Sequence, residues 1–139
     1  TQPRVTVRRL AASSLVLALG LGLAGCGQDP VDLEGRSYTS TEVYGHDLVE
    51  GTTVTLAFEG GNLAANAGCN TILGGVSTDD GTLEFSSQAA STLKACEAPL
   101  TAQDQWLTEF LTSSPEVSVD GDTLTLGDET SGMTLSETG

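Results

Sequence analysis

Thr53-Val54-Thr55-Leu56-Ala57-Phe58 decides the fold class, because Val54, Leu56 and Phe58 alternate with Thr53, Thr55 and Ala57. A period of two puts three apolar side chains on one face of a strand and three small or polar ones on the other. Thr123-Leu124-Thr125-Leu126 repeats the device near the other end of the chain. Such strands belong to a sheet with one buried and one wet face, the usual state of antiparallel pairing.

Working outward, the same reading gives strands at Ser37–Tyr44, Thr53–Phe58, Leu63–Asn66, Thr71–Ser77, Thr82–Phe85, Glu116–Val119, Thr123–Leu126 and Met133–Leu135, separated by Gly, Asp and Asn. Short strands at close spacing indicate a mainly β (α+β) domain whose antiparallel sheet closes toward a barrel. One segment breaks the pattern. From Pro99 to Ser113, Leu100, Leu107, Phe110 and Leu111 recur at helical spacing, which predicts one packed helix over about 100–112, with Thr101 and Asp104 as a capping box. Trp106, the sole tryptophan, is expected to pack on the core with its indole N–H satisfied.

The first 25 residues read as an address. Arg4, Arg8 and Arg9 precede an apolar run from Leu10 to Leu23, the layout of a secretory signal peptide. The run is shorter than the roughly 20 residues a membrane-spanning helix needs. It ends in Leu23-Ala24-Gly25-Cys26, which resembles the lipobox of bacterial lipoproteins. That resemblance implies cleavage before Cys26, lipidation of its thiol, and a domain anchored to a membrane on the outer side of the cytoplasm, in the cell envelope. Two or three acyl chains suffice for durable retention, at about 0.8 kcal/mol per buried methylene. Residues 26–34, with Pro30 among them, read as the lipidated cysteine and a short tether, and 35–137 as the domain. Gly20, Gly22 and Gly25 match a dinucleotide fingerprint by spacing, but no strand precedes them and no βαβ unit follows.

Charge narrows the partners. The chain of 139 residues carries a net charge of −14; all three N-terminal arginines precede residue 26 and no acidic residue does, so the remainder holds Arg36 and Lys94 against 19 acidic groups, 2 − 19 = −17. Nucleic acid would repel such a domain. The charge itself suits a well-solvated monomer.

Beyond Cys26, two cysteines are left in an exported chain, and a Cys69–Cys96 disulfide is the economical reading, worth roughly 3 to 4 kcal/mol on the chain-entropy model. Two thiols without a nearby histidine make a poor metal site, and no cofactor is called for. Gly35, Asn66-Ala67-Gly68-Cys69-Asn70 with Gly74-Gly75, Ser91-Thr92-Leu93-Lys94-Ala95-Cys96, the helix through Trp106 and Phe110, and Gly121-Asp122-Thr123-Leu124-Thr125-Leu126 together resemble the META domain of HslJ-type proteins. Tyr38 stands where that family commonly has Trp, and Leu93 and Ala95 replace a Met-rich pair. The resemblance implies a compact β domain with one helix, in envelope lipoproteins associated with heat or envelope stress and antibiotic tolerance, and no established active site. Gly68, Asn70, Ser91 and Thr92 are then structural motif residues: Gly68 takes a positive φ, and Asn70 bonds its own turn beside the bridge.

Candidate chemistry is sparse. His46, the only histidine, adjoins Asp47 in a polar stretch that reads as a hairpin loop, so a solvated surface histidine is expected rather than a Ser-His-Asp triad. Asp79-Asp80 and Asp120-Gly121-Asp122 lack the continuation of a calcium loop and read as turns. The expectation is a non-enzymatic module that binds an envelope protein or an apolar ligand, or that supports envelope integrity under stress. The alternatives are a hydrolase and a small-ligand carrier, and a hollow or a filled barrel interior separates the carrier from the rest.

Overall fold

The computed structural model describes residues 30–139. Cys26 and the signal-like segment lie outside them. Nine strands and one helix follow in the order β1 (Ser37–Tyr44), β2 (Thr55–Glu59), β3 (Asn62–Asn66), β4 (Thr71–Ser77), β5 (Glu84–Phe85), β6 (Ala90–Ser91), α1 (Ala98–Thr112), β7 (Val117–Asp120), β8 (Thr123–Gly127) and β9 (Gly132–Glu137). The strands form one antiparallel sheet in the order β5-β4-β3-β2-β1-β9-β8-β7, with β6 a second partner of β4. A bridge between Thr82 and Glu116, with Leu83 N–H donating to Pro115 O at 2.7 Å, links the two margins of the sheet. The result is the barrel-like antiparallel sheet that the alternating strands predict.

The alternation also fixes the register. Leu56 and Phe58 in β2, Leu63 and Ala65 in β3, and Leu124 and Leu126 in β8 all point inward and are buried. A one-residue slip would turn each of these sets out to water. Met133 and Leu135 of β9 and Leu107, Phe110 and Leu111 of α1 complete the interior. Tyr38, at the position where the resemblance implies a tryptophan, is 1% exposed and meets Phe58 edge-on at 6.2 Å between ring centroids. The barrel interior is therefore filled by side chains rather than hollow.

Two poles organise the rest. At the entry pole the chain arrives beside the end of β4 and the β2–β3 turn. Val31 N–H donates to Thr78 O, Thr78 Oγ1 donates to Val31 O, and the Glu34 carboxylate accepts from Gly60 and Gly61 N–H. Leu33 is 3% exposed and belongs to the core. The domain thus takes in residues 31–34, which read in sequence as part of the tether. A lone leucine between polar neighbours does not distinguish a tether from a docked segment. At the far pole, about 20 Å away along β4, lie the β3–β4 turn, the 45–54 loop, the 91–97 loop and the start of α1.

Candidate functional site

The motif residues Gly68, Asn70, Ser91 and Thr92 gather at the far pole. Asn66 Oδ1 accepts from Gly68 N–H at 2.7 Å, which closes the turn after β3. Gly68 has φ +109°, and a Cβ there would stand 2.9 Å from Thr52 Cγ2, so glycine is required twice over. The next residue, Cys69, is joined to Cys96 across a sequence separation of 27, with Cα atoms 6.3 Å apart. The disulfide expected from the cysteine count is present.

Asn70 does more than bond its own turn. Its Oδ1 accepts from Thr92 Oγ1 at 2.9 Å and from Lys94 N–H at 2.7 Å. Its Nδ2 donates to Asp104 Oδ2 at 3.1 Å, and its backbone N–H to the same oxygen at 3.0 Å. One side chain therefore ties β4, the 91–97 loop and the helix together. Thr92 reinforces the tie, since its Oγ1 accepts from Thr71 N–H at 3.0 Å and its N–H donates to Thr71 O at 3.1 Å. The hydroxyl of Ser91 donates to Thr92 O at 2.9 Å and reaches no further. These pairings create β6, whose two residues Ala90 and Ser91 lie opposite Leu73 and Ile72. No propensity in an Ala-Ser pair announces such a strand.

The expected capping box is absent. The helix begins at Ala98 with Pro99 in its first turn, and its N-cap Glu97 makes no side-chain cap. Thr101 thus lies inside the helix, and Asp104 is turned to Asn70. Its second oxygen, Oδ1, is buried without a hydrogen-bond partner among the described residues.

Immediately before Asp104 on the same helix, Gln103 is 0% exposed and fully bonded. Its Nε2 donates to Ala67 O at 2.6 Å and Thr52 Oγ1 at 2.9 Å, while its Oε1 accepts from Val49 N–H at 2.8 Å. The carbonyl of Ala67 can only accept and the amide of Val49 can only donate, so the orientation of the side-chain amide is settled. His46 Nε2, 3.3 Å from the same Oε1, must then carry a hydrogen. Its ring lies flat on Trp106 at 4.1 Å between centroids and 9° between planes, and Trp106 in turn stacks on Phe110 at 6.1 Å. One expectation is corrected here: His46 is a half-buried, bonded and stacked residue rather than a solvated one. Trp106, itself half-buried, packs against the core as expected and also stacks with that histidine. Sequence reasoning missed Gln103 altogether, although it falls on the face defined by Leu100, Leu107 and Phe110, where a polar residue asks for partners.

His46 is partnered by Gln103 and Trp106 rather than by a serine and an aspartate. A cleft of about 320 Å³ beside it is lined by Ser40, Glu42, His46, Asp47 and Thr53 among others. Among the described residues, no group of three or more His, Cys, Asp or Glu side chains could hold a metal ion. Asp79 accepts from Ser77 Oγ at 3.0 Å, and Asp120 and Thr123 pair at the end of the β7–β8 hairpin, so both acidic pairs sit in turns as expected. The β8–β9 turn is built on a carboxylate. Asp128 Oδ1 accepts from Thr130 Oγ1 at 2.6 Å and from the N–H groups of Thr130 and Ser131 at 2.9 Å each, and the Thr130 hydroxyl above all, then the two amides, hold its acid below the ordinary value. Tyr44 is raised, first by its hydrogen bond with Glu42.

Comparison with known proteins bears on the fold. A solved structure of a protein from Burkholderia xenovorans superposes with a TM-score of 0.62 at 19% identity, covering 80% of this chain and 91% of that one. A second solved structure, likewise determined by NMR, gives 0.57 at 20% identity, covering 75% and 90%. At these identities the likeness is one of fold. The comparison with curated proteins gave no match. The family model of the META domain matches residues 31–138, nearly all of the described structure, from the docked segment at the entry pole through Gly68, Asn70, Ser91 and Thr92 at the far pole. The chain belongs to the META domain family.

Proposed function

We propose that this chain is a lipid-anchored envelope protein of the HslJ type, acting as a monomer through the surface of its META domain and without catalysis. Cys26 carries the lipid in this reading, and the role is binding at the cell envelope or tolerance of envelope stress. The observation that carries the surface-binding half is the filled interior: Leu56, Leu63, Leu107, Leu111, Leu124 and Leu135 are 0 to 1% exposed. A carrier of apolar ligands needs a hollow of some 300 Å³ or more, and these side chains occupy the place where it would be. The anchor rests on Leu23-Ala24-Gly25-Cys26 behind a basic and then apolar stretch.

The test is metabolic labelling with an alkyne-bearing fatty acid in a bacterial host. The full chain is expected to take up label and sediment with membranes, and Cys26→Ala to lose both. Label retained by Cys26→Ala would refute the anchor. A deletion strain challenged with heat and antibiotics then separates the two roles: sensitivity restored to normal by the wild-type chain supports stress tolerance, and unchanged growth leaves binding.

A further inference from the structure

Among the described residues two large apolar side chains are exposed, Leu93 at 96% and Leu73 at 50%. Both lie along one edge of the sheet, for Leu73 pairs with Ala90 of β6 and the chain leaves β6 directly into Thr92 and Leu93. A leucine so exposed is ordinarily carried on a loose loop, where ordering it on contact would cost conformational entropy. The 91–97 loop is the opposite case. Thr92 is bonded to Thr71 on one side of Leu93, Lys94 N–H to Asn70 on the other, and Cys96 is fixed to Cys69. Leu93 is held out into solvent between clamps, which lowers the cost of burying it in a partner. Below it, Leu73 borders a shallow groove of about 220 Å³ with Ala57, Ala64, Glu59 and Asn62.

We propose that Leu93 is the tip of a preformed recognition finger that seats in an apolar socket on a second, net-basic protein, with Leu73 and its groove as the flanking contact. Charge and position choose this occupant. The −17 of residues 26–139 opposes a second copy of the chain and an anionic bilayer alike, and it attracts a basic surface. Lys94 beside the tip, one of two cations after residue 26, would meet an acceptor at the rim of the socket. On the anchored reading proposed above, position excludes the protein's own membrane as well. The chain enters beside Thr78 at the end of β4, whereas the finger is clamped to Thr71 at its start. The finger thus lies at the pole opposite the one where the described chain begins.

The experiment is site-specific photo-crosslinking of the full chain in cells of its native host, with a benzophenone amino acid at position 93 and, as control, at the exposed Asp79 of the entry pole. One discrete protein adduct from position 93 and none from 79 is expected. The purified adduct partner should be basic and should bind the detergent-solubilised full chain with an affinity that falls as salt rises. Leu93→Asp should weaken that binding at least about tenfold, Leu73→Asp less, both with unchanged thermal midpoints because neither side chain is in the core. Adducts with phospholipid or with a second copy would overturn the proposal. So would equal adducts from both positions, no adduct at all, or a partner indifferent to Leu93→Asp. Membrane release of Cys26→Ser reports on the anchor by itself, so a failed anchor with a surviving position-93 adduct removes only the argument from position.

Discussion

The entry pole and the far pole of this domain are closed by different physics. At the entry pole a short segment lies down on the sheet, buries Leu33, and hands the Glu34 carboxylate to the two amides of the β2–β3 turn. These bonds reach 26 to 47 residues along the sequence, but each ties the one entering segment to the strand end or turn it lies against. At the far pole four separate stretches of chain meet, and two side-chain amides, Asn70 and Gln103, hold them through bonds that reach 22 to 54 residues along the sequence. Hydrophobic burial tolerates imprecision, while a buried amide with every donor and acceptor used does not. The far pole is thus the more specified end, and the exposed finger is built on it.

The sharpest way to break that contrast is Gln103→Leu, which keeps the bulk and removes the bonds. Val49 N–H, Ala67 O and Thr52 Oγ1 would each lose a partner, at about 1 to 3 kcal/mol for each buried group left unsatisfied. A loss of about 4 kcal/mol in denaturant unfolding is expected, with faster amide exchange at Val49 and unaltered local protection at Val31. A loss under about 1 kcal/mol would mean that water replaces the glutamine and that the far pole is less specified than its geometry suggests.

Reducing the disulfide, or replacing Cys69 and Cys96 together by alanine, comes next. Closing a loop of 27 residues is worth about 3 to 4 kcal/mol through the unfolded chain. Because Asn70 and Thr92 still clamp the loop, the Lys94 amide is expected to keep much of its protection in the reduced protein. Loss of that protection on reduction would make the bridge, and not the asparagine, the holder of the finger.

Leu33→Ala probes the other end and is expected to cost about 3 kcal/mol, as buried leucine truncations do. Local exchange at Val31 and Gly35 should rise while Asn70 N–H stays protected. If both poles loosened together, they would form one cooperative unit and the contrast would be of composition only.

How much of this was legible follows from the range of each interaction. Period-two alternation revealed β2 and β8, and β1 and β4 match expectation to the residue, because the buried face is written in the strand itself. The disulfide followed from counting cysteines. By contrast, the start of the helix was displaced by Thr101 and Asp104, whose spacing mimics a capping box although Asp104 is turned to Asn70, 34 residues back in sequence. His46 was read from its polar neighbours, and its real partners lie 57 and 60 residues away on one face of the helix. A side chain whose environment is made by remote chain cannot be read from its surroundings in sequence.

The smallest expected effect concerns a single carboxylate at the border of the far pole. Asp128 closes the β8–β9 turn, which borders the far pole at the end of β1, since Gly132 pairs with Tyr44. Hydrogen bonds from Thr130 and Ser131 hold its folded-state acid below the ordinary 3.8. A depressed carboxylate adds stability that is present above the unfolded value and disappears as pH falls through the folded one. Its contribution is therefore complete at neutral pH and lost below about pH 4. The group is exposed, so the change should be slight and reduced by salt. Asp128→Asn should lower the thermal midpoint marginally at pH 7, and the gap from wild type should close in acid as the wild-type carboxylate protonates. Amide shifts of Thr130 and Ser131 should follow the same titration. A gap that persists unchanged in acid would mean that the shape of the side chain, and not its charge, holds the turn.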